Sequence, residues 1–236
     1  MTATLLFLPG TACDSRVWQP TVAELQYPTA AYFVDFAGAN TISAMAEIAL
    51  DCASAIEGKI IPIGFSMGGL VALEMWRQAP SRIAGMVFCG TDPSADSPAR
   101  RVVRQQQMEI ACTLGFDAMI DTLKEKYFAP DDAAALMALE QCALAMAQQQ
   151  GIPKLVAQHA ALASRYDGWP LLPSINVPVL VLCGDADQIC TPATHLRMAA
   201  AIPEASYRPI YQTAHLAPLQ QPQQVAQYID EWLLTL

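Results

Sequence analysis

The sequence predicts a doubly wound α/β fold, in which a mostly parallel sheet of about six strands is flanked by helices and interrupted by a helical insertion. Three observations predict it: short apolar runs that end in turn residues, amphipathic helical patterns between those runs, and one long stretch without a strand-like run. Parallel strands covered on both faces are continuously apolar rather than alternating, and these runs have that character.

The strands of the predicted sheet are short apolar runs. The first five stop at a proline, an aspartate or a glycine, and the last lies near the carboxyl terminus. They are residues 5–8, 31–34, 60–63, 86–89, 179–183 and about 206–210. Between the strands, apolar residues recur at every third or fourth position in residues 42–56 and 225–236. That spacing predicts helices with one apolar face against the sheet.

The helical insertion is predicted where the alternation of strands and helices stops. Residues 92–167 contain no convincing strand, and strong helix formers dominate residues 132–150, where a helix is expected to end before Gly151. Prolines mark both ends of this stretch. They are Pro93, Pro98, Pro170 and Pro173. We therefore expect residues 1–92 and 169–236 to form the core and residues 93–168 to form a helical cap.

Composition and charge narrow the function classes. Apolar residues make up 53% of the 236 residues, enough to bury a sizeable core. The formal net charge of -9 disfavours a polyanionic partner, so we expect no nucleic acid. Residues 1–9 lack the pattern of a secretory signal, and no apolar run reaches the roughly 18–20 residues that span a bilayer, so no membrane partner is expected.

The cysteines predict a reducing compartment and hence a cytoplasmic protein. There are seven, an odd number, and they are widely spaced without a C-x-x-C pair. Most of them, such as Cys89 and Cys183, lie in apolar runs, where a free cysteine acts as a small buried residue. No cluster of ligands predicts a metal site, and no organic cofactor is expected. The sequence does not predict an oligomeric state.

A candidate nucleophile lies at the end of the third predicted strand. The segment Gly64-Phe65-Ser66-Met67-Gly68 has the G-x-S-x-G pattern, and a helical pattern follows it in residues 70–77. Glycines suit this turn because side chains at those positions would collide with neighbouring backbone. The alternative is a glycine-rich turn with an inert serine.

Two backbone N–H groups are candidates for stabilising a negatively charged oxygen in the reaction. The Met67 N–H opens the helix after Ser66, where N–H groups are unpaired and the helix dipole favours negative charge. The second donor is expected in the loop after the first strand, where we prefer the Thr11 N–H to that of Ala12.

His215 is the candidate base that activates the serine. It lies in the loop between the last predicted strand and the terminal helix, a position from which it can reach the end of the third strand. The other two histidines, His159 and His195, lie in predicted helices and are interpreted as surface or packing residues.

Asp187 is the candidate acid that orients the histidine. Asp185 and Asp187 both follow the strand of residues 179–183, and we prefer Asp187 because it projects farther from the strand end. Asp92, which follows an earlier strand, is a third possibility. The chain order of serine, aspartate and histidine is the one expected for a nucleophile on a strand-turn-helix elbow.

Together these motifs resemble alpha/beta hydrolases of the carboxylesterase, lactonase and ring-cleavage-hydrolase superfamily over nearly the whole chain. The matching segments are residues 8–11 with Trp18 downstream, 64–69, 184–187, and His215 with Pro222 after it. The resemblance implies a helical cap over the core and favours the third residue after Gly184, Asp187, as the acid. The sequence departs from the family pattern at two positions beside the site. Pro9 replaces a frequent histidine, and Ala214 replaces a frequent glycine.

The resemblance also implies a serine hydrolase that cleaves a small carboxylic ester through an acyl-enzyme without a cofactor. A lactonase, a thioesterase, a carbon-carbon bond hydrolase and a perhydrolase would use the same three residues, and a ligand-binding protein on the same fold is the non-enzymatic alternative. A haloalkane dehalogenase is disfavoured, since it would have aspartate at position 66.

The cap is expected to select the substrate with apolar side chains over the serine, although half or more of them are expected only to pack the cap. The candidates are Met108, Met119, Leu123, Tyr127, Phe128 and Trp169. Three arginines, Arg100, Arg101 and Arg104, are interpreted as a solvated helix face, with attraction of a carboxylate-bearing substrate as the alternative.

Overall fold

The computed structural model describes residues 4–27 and 30–236, so Met1 to Ala3, the start of the segment tested for a secretory signal, lie outside the described residues. Among the described residues, one six-stranded sheet is formed with the strand order β2-β1-β3-β4-β5-β6, and every pair of neighbours is parallel. The predicted α/β fold is therefore confirmed. The strands are β1 (Thr4–Leu8), β2 (Ala31–Phe33), β3 (Ile60–Phe65), β4 (Met86–Cys89), β5 (Val179–Gly184) and β6 (Ala205–Ile210).

Helices connect the strands and cover the sheet. They are α1 (Gln19–Glu24), α2 (Ile42–Cys52), α3 (Met67–Gln78), α4 (Pro98–Leu114), α5 (Phe116–Tyr127), α6 (Ala133–Ser164), α7 (Pro192–Ala201), α8 (Ala217–Gln220) and α9 (Pro222–Leu233). Short 3-10 turns lie at Ser15–Val17, Pro80–Arg82 and Trp169–Ser174. No helix among the described residues is both long and apolar enough to span a membrane.

The sheet separates two buried clusters of side chains. Leu5 and Phe7 of β1 belong to a cluster that includes residues of α9, whereas Leu6 and Leu8 belong to a second cluster with residues of α2 and α3. Alternate residues of a strand point to opposite faces, so a strand buried on both sides must be apolar throughout. This is why the central strands could be recognised as continuous apolar runs.

Three helices, α4, α5 and α6, lie between β4 and β5, within the stretch for which a helical insertion was predicted. The predicted helix end at Gly151 is a kink, because Gly151 has φ 73° and ψ 167° and helical structure resumes at the next residues. The helix predicted over residues 42–56 ends earlier, at Cys52, and the terminal helix ends at Leu233 rather than at Leu236.

Candidate active site

The turn from β3 into α3 is a tight elbow with Ser66 at its tip. Ser66 has φ 52°, a left-handed conformation that costs energy for a residue with a side chain. A Cβ atom at Gly64 would lie 2.4 Å from the Gly68 oxygen, and one at Gly68 would lie 2.2 Å from the Leu8 oxygen. Only glycine fits at either position. The close packing therefore holds Ser66 at the carboxyl end of β3.

Ser66, His215 and Asp187 form one chain of hydrogen bonds. The His215 Nε2 atom lies 3.0 Å from the Ser66 Oγ atom, and the His215 Nδ1 atom lies 2.8 Å from the Asp187 Oδ2 atom. Because a carboxylate only accepts hydrogen bonds, the proton of neutral His215 belongs on Nδ1. The Nε2 lone pair then faces the serine hydroxyl, as a general base requires.

The Asp187 carboxylate is buried and held at both oxygens. Its Oδ1 atom accepts hydrogen bonds from the backbone N–H groups of Ile189 and Cys190, at 2.8 and 2.9 Å. Burial alone would raise the pKa of this carboxyl, but His215 and the two N–H groups outweigh burial, so the pKa of Asp187 is lowered. Asp187 is therefore a fixed anion beside the imidazole.

The other two candidate acids lie elsewhere. Asp185 is exposed and accepts a hydrogen bond from the Thr213 N–H at 3.3 Å, while Asp92 forms an ion pair with Arg100 at 2.5 Å. The preference for Asp187 over both thus agrees with the hydrogen bonds of His215. Within the described part of the chain, no group of three or more His, Cys, Asp or Glu residues is arranged to hold a metal ion.

His215 is also held from the helical insertion. Its backbone N–H donates to the Lys126 carbonyl at 3.2 Å, and the next residue, Leu216, donates to the Tyr127 carbonyl at 2.9 Å. The Tyr127 ring stacks on the imidazole with 6.2 Å between ring centroids, and the Phe65 ring lies at 5.1 Å. The carboxyl end of α5 therefore helps to orient the histidine, a role that the sequence did not indicate.

The two candidate oxyanion donors are both available. Among the described residues, neither the Met67 N–H nor the Thr11 N–H is hydrogen-bonded to another group. The Ala12 N–H, the second choice from the sequence, instead donates to the Gln158 Oε1 atom of α6 at 2.8 Å. Since that N–H already has a buried partner, Thr11 remains the better candidate.

Two buried polar residues, for neither of which the sequence indicated a role at the site, support it. Gln158 accepts the Ala12 N–H of the loop after β1, as just described. His195 is fully buried, so it is a packing residue rather than a surface one, and its Nε2 atom accepts a hydrogen bond from the Thr91 N–H at 2.9 Å. The Thr91 Oγ1 atom in turn donates to the Ser66 carbonyl at 3.1 Å. Neither residue lies in a recognisable motif. Each contacts a partner that is more than 100 positions away in the sequence, so local spacing gives no signal.

Ser66 opens into a cavity of about 440 Å³, within the usual range for a small-molecule site. Three of the predicted roof residues, Met119, Leu123 and Tyr127, line it. Phe128 is a buried member of the hydrophobic core and Met108 is partly buried against it, and neither lines the cavity. Trp169 bonds to Ser94 and stacks on Arg197 away from the cavity. Three of the six candidate residues therefore line the cavity, and three do not.

The interpretation of the three arginines as a solvated face is wrong for one of them. The Arg104 side chain is 19% exposed and lines the cavity. Arg100 lines the cavity too, with 39% of its side chain exposed, whereas Arg101 is 58% exposed and does not. Helix α6 packs beside α4 and helps to bury Arg104. The residue pattern of α4 alone does not show that another helix covers this position.

Comparisons with known proteins agree with this architecture. A model of the alpha/beta hydrolase family matches residues 5–228. A biotin biosynthesis bifunctional protein from Cellvibrio japonicus is 22% identical over 256 aligned residues, which cover 98% of this chain and 48% of that protein. A pimeloyl-(acyl-carrier protein) methyl ester esterase from Vibrio parahaemolyticus is 30% identical over 105 residues, 42% of this chain and 41% of the relative. The matches thus span less than half of the length of these curated relatives.

A solved structure matches over a larger share of both chains. A thermophilic esterase from Thermogutta terrifontis, with malate bound, superimposes with a TM-score of 0.87 at 28% identity. The superposition covers 99% of this chain and 91% of the esterase. Because the family model also covers nearly the whole length, this chain belongs to the alpha/beta hydrolase family.

Proposed function

We propose that this protein is a serine hydrolase that cleaves a small carboxylic ester through an acyl-enzyme. The observation that carries the proposal is the pair of contacts at His215, 3.0 Å to the Ser66 hydroxyl and 2.8 Å to the Asp187 carboxylate. The esterase from Thermogutta terrifontis and the methyl ester esterase from Vibrio parahaemolyticus support the choice of an ester as substrate.

In the first half of the proposed reaction, Ser66 attacks the ester carbonyl. His215 Nε2 takes the hydroxyl proton as the Ser66 Oγ–carbon bond forms, and Asp187 stabilises the resulting imidazolium. The Thr11 and Met67 N–H groups stabilise the negative oxygen of the tetrahedral intermediate. When the carbon–oxygen bond to the leaving group breaks, His215 returns the proton to the departing alcohol.

In the second half, water repeats the attack on the acyl-enzyme. His215 takes a proton from the water molecule, and the same two N–H groups stabilise the second tetrahedral intermediate. The bond between the acyl carbon and Ser66 Oγ then breaks, and His215 returns a proton to the serine. The carboxylic acid leaves, and no cofactor takes part in either half.

The helical insertion is part of this proposal. Residues 93–168 act as a cap that selects the substrate, since α4, α5 and α6 supply much of the cavity wall. A cytoplasmic location is also proposed, supported by seven cysteines that are all unpaired.

Replacing Ser66 by alanine tests the proposal. We expect kcat for a short-chain 4-nitrophenyl ester to fall on the order of 10⁴-fold or more, because the nucleophile is removed. A fluorophosphonate probe should label the unmodified protein and not the Ser66→Ala variant. Ser54→Ala, which alters an exposed serine that does not line the cavity, is the matched control and should retain both properties. Equal ester hydrolysis by the Ser66→Ala protein would refute the assignment.

A further inference from the structure

Three arginines line the same cavity as Ser66. Arg100 and Arg104 come from α4, and Arg165 follows the end of α6. We call these three residues the arginine cluster. Among the described residues that line the cavity, Asp92 is the one acidic side chain, and Lys126 adds a further basic residue. The cavity wall is therefore basic in a chain whose formal net charge is -9.

The carboxylates near the arginine cluster do not balance its charge. Asp92 pairs with Arg100 at 2.5 Å. The buried Asp96 is shared among three arginines, which are Arg101, Arg104 and Arg165. The three guanidinium groups of the cluster thus face two carboxylates, one of which Arg101 also contacts, which leaves a surplus of at least one positive charge at this side of the cavity.

Part of this surplus charge is buried. The Arg165 side chain is only 6% exposed, and the buried Arg104 Nε atom has no hydrogen-bond partner among the described residues. Burial and the neighbouring arginines lower the pKa of Arg104 and of Arg165 to about 10, so both remain charged at neutral pH. Burying a cation without a full set of partners is unfavourable. A cluster that served only to fix α4 to α6 would be more stable with balanced charges.

We propose that the arginine cluster binds an anionic group of the substrate, so that the natural ester carries a carboxylate or a phosphate besides the ester bond that Ser66 attacks. The planar guanidinium group matches the geometry of both anions and binds them more strongly than it binds neutral groups. This inference rests on the proposed function and adds the substrate class to it.

Three sets of 4-nitrophenyl esters test the inference. Their straight acyl chains have six, eight or ten carbons and end in a methyl, a carboxylate or a phosphonate group. We expect at least one anionic ester to exceed the methyl-ended ester of equal length in kcat/KM by about tenfold or more, as a charged hydrogen bond allows. The better of the two anionic sets identifies the anion. Equal values for all three sets at every length would overturn the inference.

Variants of α4 locate the effect. Arg104→Gln should reduce the preference for the anionic ester, expressed as the ratio of the two kcat/KM values, by about tenfold, mainly through KM. Arg104→Lys should retain more of the preference than Arg104→Gln. Arg101→Gln is the matched control, since it removes the same charge from the same helix outside the cavity wall, and its ratio should change less than about threefold. Equal effects of Arg104→Gln and Arg101→Gln would overturn the assignment to the cavity.

Binding to the unmodified protein and to the Ser66→Ala variant separates this inference from the proposed function. We expect adipamate or 6-phosphonohexanamide, which carry one anionic end, to bind both proteins in calorimetry at least about tenfold more tightly than neutral hexanamide does. That result would stand even if Ser66 proved not to be the nucleophile. If neutral hexanamide bound as tightly as both of the anionic ligands, the arginine cluster would not be an anion site, whatever the activity of Ser66. These measurements need no substitution in the cluster, so they do not depend on the folding of the Arg104 variants.

Discussion

The carboxyl edge of the sheet and the helical insertion hold their charges in different ways. At the sheet edge, Asp187 accepts three hydrogen bonds and both ring nitrogens of His215 have partners. In the insertion, by contrast, Asp96 is shared among three arginines and the buried Arg104 Nε atom has no partner among the described residues. The first region is complete without a ligand. The second has unbalanced charge, which a ligand can neutralise.

The largest effect is expected from a substitution that disrupts the hydrogen bonds at the sheet edge. Asp187→Asn removes the carboxylate that holds His215 in the tautomer with the proton on Nδ1 and stabilises its cation. We expect kcat to fall on the order of 10³–10⁴-fold while the fold is kept, because serine hydrolysis depends on that tautomer. Steady-state kinetics and circular dichroism would check both expectations. The control is Asp185→Asn, an exposed residue on the same loop, and a similar loss in that variant would contradict the role of Asp187.

A smaller effect is expected from His159, a residue of the insertion that lines the cavity and is held in its neutral form. Burial, with a smaller contribution from Arg104, lowers the pKa of His159 to about 4. In the unfolded chain the pKa of histidine is near 6.5, so the unfolded state takes up the proton first as the pH falls. The stabilisation from this neutral histidine is thus full above about pH 6.5 and is lost between pH 6.5 and 4.

His159→Gln should reduce this acid sensitivity. From pH 7 to pH 5 the free energy of unfolding of the unmodified protein should fall by roughly 2 kcal/mol more than that of the variant. Urea unfolding at the two pH values measures the difference within each protein, so a change in packing that is independent of pH cancels. If both proteins lost the same free energy, His159 would not be held neutral by the insertion.

The smallest expected effect tests whether the two regions are independent. Gln158→Ala removes the α6 side chain that accepts the Ala12 N–H, and it leaves that buried N–H without a partner. We expect kcat to fall about tenfold, because the loop that carries Thr11 is less well oriented, while KM changes little. Gln149→Ala, an exposed residue of the same helix, is the control. An unchanged kcat in the Gln158 variant would mean that the sheet edge keeps its geometry without the insertion.

Local patterns were sufficient for much of the fold. The central strands were predictable because burial on both faces requires apolar residues throughout, as in β5. The edge strand β2 shows the limit of this rule, since Tyr32 and Phe33 are exposed although their run is apolar. The helix predicted as far as Ile56 stops at Cys52, because apolar spacing alone does not show where hydrogen bonding ends.

The candidate catalytic residues were predictable because each lies in a single loop with a recognisable local pattern. Ser66 lies in a glycine pattern that only a tight turn requires, and Asp187 and His215 follow strands whose carboxyl ends share one edge of the sheet. The sequence did not indicate Gln158, because its partner Ala12 is 146 positions away. For the same reason Arg104 was interpreted as solvated, since the helix that covers it comes later in the chain.

The amino-acid sequence by itself determined the layered α/β fold, the elbow at Ser66 and the order of the three candidate catalytic residues. The apolar runs and motifs behind each of these lie within short segments, where backbone geometry leaves few choices. Only the tertiary structure decided which N–H groups of the loop after β1 are free and which arginines face the cavity. Those outcomes depend on contacts between distant segments, and burial changes the free energy of a charged or polar group far more than its local sequence does.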